Sequence, residues 1–119
     1  MHLTPTQQSY RARLTAESDQ QQPAPAFEPV HAGPLKGGEQ KVYRFPNGYG
    51  ASVVRHAFSY GGETGHWELA VIRFKGESND NFTLVYNTPI TDDVIGYLSD
   101  KHVAETLVLI AELPAPEAA

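Results

Sequence analysis

A chain of 119 residues has room for one domain, and with 40% of it apolar a modest core can form. There is no cysteine, which excludes disulfides, thiolate chemistry and Cys-ligated zinc. The net charge of −5 argues against direct nucleic-acid binding, whose footprint is basic, and no run approaches the roughly 18 apolar residues of a membrane span, so a cytoplasmic protein is expected.

Residues 1–38 are rich in Gln, Pro, Ala, Ser and Thr, as in Gln20-Gln21-Gln22-Pro23-Ala24-Pro25-Ala26. So few branched or aromatic side chains cannot offset the entropy of ordering, and a flexible arm is expected there. Lys41-Val42-Tyr43-Arg44-Phe45 reads as the first strand and Ala51-Ser52-Val53-Val54-Arg55 as the second. Between them Asn47-Gly48 predicts a hairpin with a type I′ turn, which needs positive φ at both central positions. Pro46 cannot donate to a ladder and belongs at the strand end.

His56 to His66 is a glycine-bearing loop. It leads into Trp67-Glu68-Leu69-Ala70-Val71-Ile72-Arg73-Phe74, eight residues without Gly or Pro and apolar on both sides of the pleat. That pattern predicts the central strand, covered on two faces. The polar turn 76–81 precedes a fourth strand, Phe82-Thr83-Leu84-Val85-Tyr86. Thr91 before Asp92 and Asp93 predicts a short capped helix over 92–98. Ser99 predicts a second helix from Asp100 to about Glu112, with Val103, Leu107 and Ile110 at helical spacing. The expected fold is α+β: a domain over 39–114 with a four-stranded antiparallel meander, C-terminal helices on one face, and a disordered tail over 115–119.

Charge is unevenly placed. Lys41, Arg44, Arg55, Arg73 and Lys75 face only Glu63 and Glu68 between residues 40 and 75. From residue 87 onward Lys101 alone opposes Asp92, Asp93, Asp100, Glu105, Glu112 and Glu117. Such polarity suits docking on a charged partner or on a second copy of the chain.

Three groups of residues are candidates for function. If helices cover one sheet face, the opposite parity presents Val54, Ile72, Phe74 and Val85, which with Tyr60 of the loop would form an apolar protein interface. Alternatively the N-terminal arm or the first loop covers that face. Gly61, Gly62, Thr64 and Gly65 could cradle a phosphate with backbone amides, although the segment lacks P-loop spacing and precedes a strand. His56, Glu63 and His66 form a donor set adequate for a hydrolytic metal, without a diagnostic spacing. Asp92-Asp93 is explained by the helix dipole and no Ser/His/Asp order stands out, so no catalytic residue and no cofactor is assigned.

Two segments resemble small uncharacterised proteins of phages and prophages, many from actinobacterial hosts: Phe45-Pro46-Asn47-Gly48-Tyr49-Gly50-Ala51-Ser52-Val53 and Thr88-Pro89-Ile90-Thr91-Asp92-Asp93-Val94-Ile95-Gly96-Tyr97-Leu98. The resemblance spans roughly Lys41 to Leu113 and implies a cytoplasmic accessory protein made during infection, with no activity to carry onto residues. The expected function is non-enzymatic protein–protein binding, to a host factor or to itself. The alternatives are a metal- or phosphate-binding protein or hydrolase built on the 56–66 loop, and an acidic nucleic-acid mimic.

Overall fold

The computed structural model describes residues 27–116. The expected arm over 1–26 and the tail end over 117–119 lie outside the described residues. The fold is α+β, with one antiparallel sheet and one C-terminal helix. The strands are β1 (His31–Leu35), β2 (Gly38–Arg44), β3 (Tyr49–Arg55), β4 (Trp67–Phe74), β5 (Phe82–Leu84) and β6 (Ile95–Leu98). The helix α1 spans Asp100–Ala111.

The sheet runs β1-β2-β3-β4, and its next position is shared by two short strands. β5 pairs with the C-terminal half of β4, Ile72 opposite Leu84 and Phe74 opposite Phe82. β6 pairs with the N-terminal half, Trp67 opposite Leu98 and Leu69 opposite Ile95, with a register shift between them. β4 is therefore interior along its length, as its two-sided apolar pattern demands.

Four strands were expected and six are present among the described residues, for two reasons. β1 falls inside the segment read as arm. It is an edge strand carrying Pro34, a position where a missing amide costs no ladder bond, and its partner β2 supplies the hydrogen bonds. Lys36 and Gly37, at φ 50° and 80°, make the two-residue connection between them. Both angles are positive, which is the type I′ geometry expected instead at Asn47-Gly48.

The second difference is that residues 92–98 are not a helix. Thr88 Oγ1 accepts from the amides of Ile90 and Thr91, Thr91 Oγ1 from Asp93, and Asp93 Oδ1 from Val94. These local bonds offer the backbone an alternative to helical pairing, and Ile95 and Leu98 reach the core from a strand instead. Among the described residues α1 is the one α-helix.

At the β2–β3 connection Gly48 N donates to Phe45 O and Phe45 N to Tyr49 O, with Gly48 at φ 92°. Asn47 is not among the positive-φ residues. The three-residue loop is thus a type I turn with Pro46 at its second position, followed by a left-handed glycine, rather than a type I′ turn.

The helix begins at Ser99, whose side chain accepts from His102 N at 3.2 Å. Val103, Leu107, Leu109 and Ile110 pack onto Tyr43, Ala51, Val53, Trp67, Leu69 and Val71, which share one sheet face. The second face holds Val42, Ile72 and Phe74, with Phe82 packed against them. Arg44 lies 4.5 Å over the Phe74 ring while its guanidinium bonds the carbonyls of Gly76 and Glu77 and the Asn79 side chain. Its aliphatic stem adds cover to that face. Among the described residues no helix is long and apolar enough to cross a membrane.

Candidate functional site

The residues singled out from the sequence do not converge on one place. Ile72 is wholly enclosed, and Phe74 and Val54 are buried. Val85 packs on the helix-side core, away from Ile72 and Phe74. The apolar patch expected on the second face is thus not presented to solvent. Only Tyr60 of that group is exposed, at 60%.

Tyr60 belongs to a loop ordered by its own hydrogen bonds. Ser59 Oγ accepts from His56 N and donates to His56 O, while Tyr60 N donates to Glu68 Oε1 on β4. Gly62–Thr64 forms a single 3-10 turn between left-handed Gly61 and Gly65. The amides of Thr64 and His66 both donate to Gly61 O, Gly65 N to Gly62 O and Gly62 N to Ser59 O. An anion nest needs several free, convergent amides. Here the amides around Gly61, Gly62, Thr64 and Gly65 are largely spent inside the loop.

Nor are His56, Glu63 and His66 gathered as ligands. Among the described residues no three His, Asp or Glu side chains stand together to hold a metal ion. His56 Nδ1 accepts from Phe58 N at 3.1 Å, and His66 Nδ1 lies 2.8 Å from Thr64 Oγ1. Thr64 Oγ1 also reaches Gly61 O at 3.0 Å, within the same loop. The Thr64–His66 pair is a loop clamp.

What the fold does assemble is a ridge of two tyrosines. Tyr97 N donates to Tyr60 O at 3.1 Å, joining β6 to the loop. The approach is close on both sides. A Cβ on Gly96 would stand 2.4 Å from Tyr60 Cβ, and one on Gly61 would stand 2.8 Å from Tyr97 Cα. Only glycine fits at either position. Tyr97 itself sits at φ 58°, one of two non-glycine residues with positive φ among those described. A bulky side chain there costs about 1–2 kcal/mol. The left-handed backbone falls where the β4–β6 register shifts, and the ring emerges 66% exposed.

The chain matches no protein-family model, no curated protein and no solved structure. Function must therefore be read from the surface itself.

Two clefts flank the ridge and share Tyr60 and Tyr97. One, of about 290 Å³, is lined also by Asp93, Val94 and Gly96. The other, of about 220 Å³, is lined also by Glu63, Thr64, Ser59, Ala57 and Gly61. Each cleft carries one carboxylate, and neither lining includes a lysine or arginine. Phe58, 82% exposed, extends the aromatic surface along the loop. Sequence reasoning missed Tyr97 and Phe58. The signal for Tyr97 was the glycine on each side of the contact, Gly61 and Gly96, legible only once the two segments are adjacent.

Proposed function

We propose that the chain is a small non-enzymatic accessory protein that binds another polypeptide through the Tyr60–Tyr97 ridge. The observation that carries this reading is the pair of exposed tyrosines, one held in a left-handed backbone that a buried structural role would not need. Strain kept at a surface position is a mark of recognition sites. Tyrosine is also a favoured anchor of interfaces, offering a large rigid area with a polar tip.

Charge narrows the partner. Glu63 and Asp93 beside two aromatic rings suit a basic segment, since arginine and lysine stack on tyrosine faces and pair with carboxylates. A second copy of this chain is a poorer partner, because the same net charge of −5 would face itself. The likeness to phage-encoded accessory proteins fits this reading, with a host protein as the partner.

The experiment is a comparison of labelled peptides of equal length, one Arg/Lys-rich, one Glu-rich and one uncharged, titrated into isotope-labelled protein. The basic peptide is expected to shift amide resonances in 57–66 and 93–98, to weaken with added salt, and to lose binding in the Tyr60→Ala/Tyr97→Ala variant. Equal binding of all three peptides, or shifts confined to other parts of the sheet, would defeat the proposal.

A further inference from the structure

A third cleft, of about 190 Å³, opens between β2, β4 and the N-terminal half of α1, and shares no lining residue with the tyrosine ridge. Its walls are the rings of Phe27, Tyr43 and Trp67, with Val103 and Leu107 from the helix. Two polar groups on β2 belong to it. Lys41 Nζ stands 5.1 Å from the Trp67 ring centroid. Tyr43 is only 7% exposed, yet its hydroxyl has no hydrogen-bonding partner among the described residues.

A buried phenol without a partner is uncommon, because leaving such a group unpaired costs free energy. Other polar groups in the cleft are committed. Trp67 Nε1 donates to Asp100 Oδ1 at 2.7 Å. The cleft therefore offers aromatic and aliphatic walls and two donors, the Tyr43 hydroxyl and the Lys41 ammonium. A dry cavity of roughly 150 Å³ is enough to take benzene. From this combination we propose that the cleft binds a small single-ring aromatic molecule carrying an acceptor oxygen. Lys41 and Asp100 already give the rim one charge of each sign, so a neutral carbonyl fits better than a carboxylate.

Trp67 is the only tryptophan in the chain, so its fluorescence reports from the wall of the site. The test titrates benzamide, benzoate, benzylamine and toluene into the full-length protein and follows tryptophan emission. Benzamide is expected to give a saturable change, tighter than the other three. Loss of one hydrogen bond in Tyr43→Phe should weaken it roughly three- to tenfold. Ala104→Phe, which fills the cleft from the helix, should abolish the change, and an unfolding curve checks that this variant folds. The proposal is overturned by no saturable change with benzamide, by toluene or benzoate binding as tightly as benzamide, or by Ala104→Phe folding and still responding. Tightest binding by benzylamine would also overturn it, by showing that the site prefers a donor.

Discussion

The Asn47 side-chain amide donates to the Ile110 carbonyl at 2.9 Å and to the Leu113 carbonyl at 3.0 Å, joining the β2–β3 turn to the end of α1. The last carbonyls of a helix have no partner within it. Asn47 supplies one from a residue 63 positions earlier, while its Oδ1 accepts from Tyr49 N and holds the turn. One side chain thus fixes two elements at once. Asn47→Ala is expected to destabilise the fold by about 1–3 kcal/mol, read from urea unfolding. Asn47→Asp should cost more than Asn47→Ala, because it brings a negative charge to the negative end of the helix dipole. If Asn47→Asp proves the milder variant, this latch does not operate.

How much of this could be read in advance depends on the range of the forces involved. Trp67–Phe74 was legible because its branched, two-sided pattern has no helical competitor. Ser99 and the stripe of Val103, Leu107 and Ile110 were legible because cap and spacing agree. β1 was hidden, since its Pro, Gly and Ala composition has little strand character and its order comes from pairing with β2. The Thr91-Asp92-Asp93 signal is ambiguous in kind, as the same side chains that cap a helix can close turns on their own backbone. Which outcome wins is decided by Ile95 and Leu98, which fill space beside Leu69 and Trp67 only from a strand. The tyrosine ridge was illegible for the same reason: Tyr60 and Tyr97 meet only through that placement.

Tyr97 separates stability from binding. Asparagine tolerates the left-handed conformation, and the ring at 66% exposure has little packing to lose. Tyr97→Asn is therefore expected to leave stability unchanged or raise it by up to about 1 kcal/mol. The same variant should weaken a basic peptide by roughly three- to thirtyfold through loss of the cation–π contact. Denaturant midpoints and peptide titrations measure the two effects on one sample. A destabilised variant would mean that the ring packs in the fold, and the ridge would then be structural.

Ile72 and Leu84 are paired across β4 and β5 yet differ in environment, one wholly buried and the other 46% exposed. Removing buried side-chain atoms costs transfer free energy and leaves a cavity. Ile72→Ala should destabilise by about 2–5 kcal/mol, as for other core truncations. Leu84→Ala should cost under about 1.5 kcal/mol, since less area leaves water. Comparable small losses at both positions would show that the second face is open in solution, and would return Ile72 and Phe74 to the list of interface residues.

Tyr43 gives the fold a dependence on alkaline pH. Burial, reinforced by the negative charge of Glu28, raises its pKa above the ordinary 10.0. A folded-state pKa above the unfolded one means that the native chain holds the phenolic proton more tightly. The associated stability is fully present below pH 10 and is lost as pH rises through the folded-state value. At pH 7 Tyr43→Phe should be neutral or slightly stabilising, because it removes a buried hydroxyl that has no partner among the described residues. Above pH 10 the wild-type chain should lose stability relative to the variant, and the gap should widen with pH. Thermal unfolding of both proteins from pH 7 to pH 11 measures it. Parallel curves across that range would show that the phenol is not shielded from water.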